Sequence, residues 1–272
     1  MTQIQNRSVY ITGGSSGIGL AAARHVAARG AHVGLFARDP DKLAGAAETV
    51  RNACAQEDQT VYSSAMDVSD RDDVRAKCGQ AMAEFGIPDI LITSAGIPMA
   101  GRFENTAAEH FDAVLQTNLY GTRHVIAALL PAMKARGSGH IVPVSSSAGL
   151  FGVYGYSAYG ASKFALVGLA ECLRSELLNH HIRVSVFCSP EVDTPLLAAE
   201  KDDLPPVTRK LKNLGGTLSV DYAAEYPVKG IIKNRFMIIP GFRAKVFYWL
   251  KRLMPLPVFW GLPDFIVKKM DR

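Results

Sequence analysis

The sequence predicts an α/β fold: a doubly wound parallel sheet of about seven strands in one domain. Three observations carry that expectation. Short β-branched and aromatic runs alternate with longer segments of helical apolar periodicity along the chain, as in successive strand–helix–strand units. The first unit is joined by a glycine-rich turn, Gly13-Gly14-Ser15-Ser16-Gly17-Ile18-Gly19. A later strand ends in the small residues Ser94-Ala95-Gly96, and ligands of open α/β sheets lie at such carboxyl ends.

Composition agrees. The 272 residues are 48% apolar and 20% charged, enough for a large core and unlike a disordered chain. Cys54, Cys78, Cys172 and Cys188 are scattered with no paired spacing and read as reduced core residues. The polar start, Met1 to Ser8, carries no signal peptide, and no apolar run reaches the length of a membrane span. A cytoplasmic protein is expected. The net charge of +5 is uneven: Val228 to Arg272 holds ten Lys/Arg against two Asp/Glu, leaving 20 basic and 23 acidic residues elsewhere.

Ser8 to Thr12 is the first strand, and the helix after its glycine turn runs to about Arg29. Glycines permit a tight turn and close approach to a pyrophosphate, and a helix N-terminus offers N–H groups to anions. Phosphate binding is the expectation for Gly13, Gly17, Ile18 and Gly19, with Ser15 and Ser16 adding contacts. The second strand, His32 to Phe36, ends at the place where such folds read the adenosine ribose. No carboxylate stands at Phe36 or Ala37; Arg38 follows, which favours a 2′-phosphate and therefore NADPH over NADH, with Lys42 as a further contact. Arg38 could otherwise simply begin the next helix.

The third strand, about Thr60 to Met66, ends in Asp67-Val68. Asp67 either holds the adenine amino group or caps the helix that starts near Ser69 or Asp70. The fourth strand, Asp89 to Thr93, runs into Ser94. A long helical segment over about 106–136 carries Asn118 on its inward stripe, as a structural brace or as part of a proton relay. Within the strand His140 to Val144, Pro143 lacks the N–H that a central strand needs, so a bulge or an unpaired position is expected. A helix from Ser157 to about Asn179, a strand from Ile182 to Phe187 and a loop to Leu197 follow. The polar, Pro/Gly-punctuated stretch to residue 218 reads as a mobile lid, about 190–218 with the loop before it. A helix at Val220 to Lys233 and a strand at Arg235 to Ile239 complete the sheet.

The chemistry is expected at Tyr159 and Lys163, four apart and so on one helix face. A phenol has an unperturbed pKa of about 10. A fixed ammonium favours the phenolate, making the pair a proton donor for a carbonyl oxygen. Ser146, in the triplet Ser145-Ser146-Ser147 at the preceding strand end, offers a hydroxyl to the same oxygen. Tyr154 and Tyr156 have Ala158 and Gly160 four residues on, so only Tyr159 has a cation at that spacing. The site suits reduction of a ketone or oxidation of an alcohol and calls for no metal.

Over roughly Ser8 to Gly241 these motifs, Thr12-Gly13-x-x-x-Gly17-Ile18-Gly19, Asp67, Asn118, Ser146 and Tyr159-x-x-x-Lys163, resemble the short-chain dehydrogenase/reductase family. The resemblance implies a Rossmann-type fold, a nicotinamide cofactor and a catalytic set of Asn118, Ser146, Tyr159 and Lys163, with Lys163 also on the nicotinamide ribose. It places Asp67, Val68, Ser94, Ala95, Gly96, Pro190, Val192 and Thr194 against the cofactor. Pairing through the two long helices, as a homodimer or homotetramer, is also implied. Two positions depart from the family pattern: Ser94 stands where Asn is usual, which would loosen the central sheet, and Ser189-Pro190 where Pro-Gly is usual. The Pro, the following Asp193-Thr194-Pro195 and the run Tyr156 to Leu166 look like the 3-ketodihydrosphingosine reductase branch.

Residues 242–272 form a basic amphipathic extension beyond the domain, 1–241. Phe242, Val246, Trp249, Leu250 and Leu253 recur at helical spacing, with Lys245 and Arg252 flanking and Lys251 opposite. Such a helix lies in an anionic membrane interface, or packs its stripe on the body and closes the substrate pocket. A lipid-like ketone suits both. No nucleic-acid motif is present. The alternatives to a 3-keto sphingoid base are 3-oxoacyl carriers and hydroxysteroids, and, in another class, a non-catalytic NADPH-binding sensor.

Overall fold

The computed structural model describes residues 1–195, 197 and 204–270. Seven positions form one parallel sheet in the order β3-β2-β1-β4-β5-β7-β10. The strands are β1 (Ser8–Thr12), β2 (His32–Ala37), β3 (Val61–Ala65), β4 (Ile90–Thr93), β5 (Gly139–Ser146), β7 (Val186–Ser189) and β10 (Met237–Ile238). A short β6 (Ile182–Val184) precedes β7 and pairs with the start of β5. The chain winds outward from β1 to β3, then returns to the other side of β1 at β4. The two strand ends at this reversal carry Gly13 and Ser94, where the family of open sheets keeps its ligand crevice.

Alternation along the strands explains the double winding. Val9 and Ile11 on β1, Ile90 and Ile92 on β4, and Val142 and Val144 on β5 bury into one apolar layer. That layer is closed by α1 (Gly17–Ala27), α2 (Pro40–Arg51) and α8 (Val220–Ile232). Tyr10, Leu91 and Ile141, one residue out of step, enter the opposite layer. There they meet α3 (Arg71–Phe85), α5 (Gly121–Arg136) and α6 (Ser157–Glu176). A strand buried on both faces needs apolar residues on both, and the middles of these strands have them.

Pro143 has its expected effect without a bulge. Ile141 pairs with Val184 and Val144 with Phe187, so the register is unbroken while Pro143 itself makes no pair on that side. The missing N–H splits the neighbouring strand into β6 and β7. At the break, Ser185 Oγ donates to Arg235 O at 2.6 Å and lies 2.7 Å from Nε2 of the buried His140.

The segment expected as helical over about 106–136 is helical from 108 to 136 but not regular. A short α4 (Ala108–Leu115) passes through a wide π turn, Gln116–Tyr120, into α5, with Gly121 N–H bonded to Gln116 O five residues back. The stretch 204–218, expected as part of a lid, carries α7 (Pro206–Gly215) and β9 (Thr217–Leu218), which pairs with β8 (Glu191–Val192). The rest of that expected lid, 196 and 198–203, lies outside the described residues.

Residues 242–270 fold as α9 (Phe242–Leu253) and α10 (Leu256–Met270). Three residues of the stripe read from the sequence face outward, Phe242 at 81%, Trp249 at 56% and Leu253 at 77% exposure, while Val246 is half-buried and Leu250 is 38% exposed. The inward face is instead Ala244, Phe247 and Lys251, whose Nζ donates to Leu150 O at 2.6 Å. Among the described residues, no helix is long and apolar enough to cross a membrane.

Candidate active site

A cavity of about 440 Å³ opens at the carboxyl ends of β1, β4, β5 and β7. From β5 it receives Ser146, because the strand runs two residues beyond Val144 before a tight turn. Ser146 Oγ accepts from Ala148 N–H at 3.1 Å and donates to Ser189 O at 3.3 Å, which fixes the hydroxyl at the cavity wall. Tyr159 and Lys163 come from the first turns of α6, one turn apart, with the Lys163 Nζ 5.5 Å from the Tyr159 ring centre.

Lys163 is 5% exposed, and burial lowers its pKa from 10.5 to about 8. Its Nζ donates to Val144 O at 3.0 Å, while its own carbonyl accepts from Ser145 Oγ at 2.8 Å. The amine is thus held between β5 and α6. A side chain at Gly96 would press on this arrangement, since a Cβ there would stand 3.1 Å from Asn118 Oδ1 and 3.7 Å from Lys163 Nζ.

Asn118 sits in the π turn, fully buried. Its Oδ1 accepts from Ile97 N–H at 2.8 Å, and its Nδ2 donates to Ile97 O and to Ser162 Oγ, both at 3.1 Å. Ser162 Oγ in turn donates to Tyr159 O at 2.7 Å. The amide therefore ties the loop after β4 to the helix that carries the tyrosine. These bonds are those of a brace. The wide turn is what lets an amide on that helix reach both partners, and π turns recur at functional sites for such reasons.

The crevice fits a dinucleotide. Gly13, at φ +66°, lies so close to the loop after β4 that a Cβ would meet Ala95 N at 2.7 Å. At Gly19 a Cβ would collide with Gly13 O, so only glycine lets α1 start against the turn. Ser16 precedes α1 without a side-chain cap, which leaves the first N–H groups of the helix to an anion. Ser16, Gly17, Ile18, Ser94, Ala95 and Gly96 line one part of the cavity; Pro190, Val192 and Thr194 line another. Ser189 Oγ is buried there with no partner among the described residues.

The other expected cofactor residues lie outside the cavity, toward the ends of β2 and β3. Ser15 belongs to the glycine turn. Arg38 is exposed directly after β2; at Asp67 desolvation raises the carboxyl pKa, but the Ser69 hydrogen bonds and the Arg38 charge together bring it below the ordinary value. Lys42 is 73% exposed and pairs with Asp39 at 3.3 Å. Asp67 does not cap α3; Asp70 does, accepting from Asp72 and Asp73 N–H. Asp67 Oδ1 accepts instead from Ser69 N–H at 2.9 Å and Ser69 Oγ at 2.7 Å. Val68 is buried against Gly121 at the start of α5. Ser94 keeps β4 tied to β1 through its backbone, N–H to Thr12 O at 3.1 Å.

Two further sets of residues stand at the cavity, the first from the extension that the sequence offered as a closure of the substrate pocket and the second not singled out from sequence. One is apolar: Phe247 and Met254 from α9 and its end, with Phe259 and Trp260 from α10. The other is polar. Lys212 on α7 reaches Tyr156 OH at 2.8 Å and Glu191 Oε2 at 2.9 Å. Tyr156 thus has a cation, supplied from 56 residues away and beyond any helical spacing.

Known proteins were compared with this chain. Residues 7–205 match the short chain dehydrogenase family. A 3-dehydrosphinganine reductase of Danio rerio is 35% identical over 235 residues, covering 86% of this chain and 71% of that protein. A solved short chain dehydrogenase/reductase from Burkholderia phymatum, in complex with NAD, is similar with a TM-score of 0.82 at 26% identity, over 96% of this chain and 97% of that one. A variant of actinorhodin polyketide ketoreductase with NADPH gives a TM-score of 0.77 at 27% identity, over 85% and 92%.

Proposed function

Because the chain belongs to the short-chain dehydrogenase/reductase family, and so is an oxidoreductase built for a nicotinamide cofactor, we propose that it reduces a long-chain, lipid-like ketone with NADPH. The favoured substrate is a 3-keto sphingoid base, as named for the Danio rerio relative. The observation that carries this reading is the cavity itself. A tyrosine–lysine pair and a serine hydroxyl stand at one end, and the apolar residues Phe247, Met254, Phe259 and Trp260 wall it further out.

The bound nicotinamide would supply hydride to the carbonyl carbon. Gly13, Ser16, Gly17 and Ile18 would hold the pyrophosphate, and Arg38, exposed and unopposed by a carboxylate on β2, would take the ribose 2′-phosphate. Ser146 Oγ would orient the carbonyl oxygen by turning its proton from Ser189 O to that oxygen. Tyr159 OH gives that oxygen its proton. The Lys163 ammonium stabilises the resulting phenolate, and with a pKa of about 8 it is charged at neutral pH. Asn118 keeps Tyr159 and the loop after β4 in place while the proton is replaced.

The extension 242–272 belongs to the same reading, with two faces. Phe247 and Met254 close the cavity. Phe242, Trp249, Leu253 and Phe265 point outward among Arg243, Lys245, Arg252, Lys268 and Lys269. Aromatic and aliphatic side chains interleaved with cations suit an anionic lipid surface, from which a long-chain ketone would be drawn. The long helices α5 and α6 are the surfaces through which a homodimer or homotetramer would form.

Oxidation of NADPH measured against 3-ketodihydrosphingosine, a 3-oxoacyl carrier and a ketosteroid tests the reading. Turnover highest on the sphingoid ketone is expected. Turnover highest on either other class moves the assignment there, and no turnover with any ketone makes the chain a cofactor-binding protein without catalysis.

A further inference from the structure

The cavity has a second polar centre, built from Tyr156, Glu191 and Lys212. The ion pair between Lys212 Nζ and Glu191 Oε2, 2.9 Å long, is 14% and 16% exposed. Glu191 Oε1 accepts from Thr217 Oγ1 at 2.7 Å, and Lys212 Nζ also meets Tyr156 OH at 2.8 Å. The Tyr156 ring is in turn 5.5 Å from the Tyr159 ring, centre to centre. The ion pair is therefore one tyrosine away from the reacting carbonyl. Taking both charges out of water is costly, and an apolar pair would join α7 to β8 as well or better. The charges point to recognition.

Resting on the reading of a long-chain ketone reductase, we propose that Glu191 is a specificity residue that binds a protonated amine on the substrate carbon next to the carbonyl. Three observations favour a cation over an anion. Glu191 is the sole carboxylate among the described residues that line the cavity. Among the described residues each of its oxygens takes one bond, Thr217 on Oε1 and Lys212 on Oε2, and a carboxylate oxygen accepts two, so one site on each is left for the ligand. The two lysines are already engaged, Lys163 with Val144 O and Lys212 with Glu191 and Tyr156.

Placement agrees. Glu191 follows Ser189, whose carbonyl accepts from Ser146 Oγ, by two residues on the same chain pass. A carbonyl held at Ser146 and Tyr159 would have its neighbouring carbon within the same cavity as Glu191, with its chain toward α9 and α10. Lys212 and Thr217 then act as positioning residues, fixing the carboxylate before the substrate arrives.

The test compares three ketones of equal chain length: the free 2-amino ketone, its N-acetyl amide, and the analogue with hydrogen in place of the amine. The wild-type chain should prefer the free amine in kcat/KM by roughly 10- to 100-fold, the range for a buried hydrogen bond to a charge. Glu191→Gln should collapse that ratio, and the wild-type preference should fade as pH rises past the amine's own pKa. Equal turnover of all three ketones by the wild type overturns the assignment while leaving a ketone reductase. A preference for the amide or the amine-free ketone, or a ratio unchanged in Glu191→Gln, overturns it too. If the wild type reduces none of them, the reductase reading falls and this inference with it. The wild-type comparison decides even if the variant does not fold.

Discussion

Lys163 Nζ donates to Val144 O across 3.0 Å, and Ser145, the next residue on β5, returns a bond from its hydroxyl to Lys163 O at 2.8 Å. The strand that carries Ser146 and the helix that carries Tyr159 are thereby locked at the point where their side chains converge. Preorganised groups lose no orientation energy when a substrate arrives.

Removing the phenol hydroxyl should remove the chemistry and little else. In Tyr159→Phe, kcat is expected to fall by roughly 100- to 10,000-fold, the usual share of a general acid. The dissociation constant for NADPH, followed by fluorescence titration, should stay within a few fold. Turnover near that of the wild type would refute the role given to Tyr159.

Lys163 predicts an alkaline limit. Burial lowers its pKa to about 8, so the ammonium is lost above that pH and the phenolate loses its partner. The rate of ketone reduction, read as kcat/KM, should decline as pH rises through about 8, and a flat profile to pH 9.5 would exclude this assignment. Stability runs the other way. The folded chain binds fewer protons here than the unfolded one between about 8 and 10.5, so this residue's contribution rises with pH across that window.

His140 predicts sensitivity to acid. It is 1% exposed, and burial, with Arg183 nearby, lowers its pKa from 6.5 to about 4. Its contribution is fully present above pH 6.5 and is lost as pH falls toward 4, by about 3 kcal/mol at most. The urea midpoint of the wild type should drop between pH 7 and pH 4.5, and that of His140→Gln should drop less. Equal losses in the two proteins would place the acid sensitivity elsewhere.

Arg38 should set the choice of coenzyme. Arg38→Asp replaces a phosphate partner with a charge that repels phosphate and accepts from a ribose hydroxyl. The NADPH/NADH ratio of kcat/KM should fall by about tenfold or more. An unchanged ratio would mean that the 2′-position is read elsewhere.

The outward face of α9 should bind vesicles. Flotation with anionic liposomes is expected for the wild type, much less for Trp249→Ser combined with Leu253→Ser, and less at high salt. Equal recovery of the two proteins would separate the extension from lipid.

How much of this was legible in the sequence depended on how far apart the interacting residues lie. Ser8 to Ala27 reads correctly because a strand, a glycine turn and a helix are each fixed by neighbours. Ser94 to Gly96, Ser146, Tyr159 and Lys163 converge because a parallel sheet brings its carboxyl ends together, so the periodicity that gives the fold also gathers the pocket. Lys212 and Glu191 meet only once α7 folds over β8, and nothing local marks either. The outward turn of Phe242, Trp249 and Leu253 was hidden for another reason. Helical spacing identifies a stripe but not which way it faces, and Lys251, opposite the stripe, is drawn in by Leu150 O.

The wide turn at Gln116–Tyr120 has a consequence for the length of the chain. One residue more than a regular helix would use rotates everything after it by about 100°. Asn118 within the turn and Val125 after it are both buried. A single deletion here would let the backbone close as an ordinary spiral and leave every side chain chemically intact. It would nevertheless put Asn118 and the inward face of α5 out of phase with one another. The count of residues between Leu115 and Gly121 is as firmly prescribed as the identity of the amide among them.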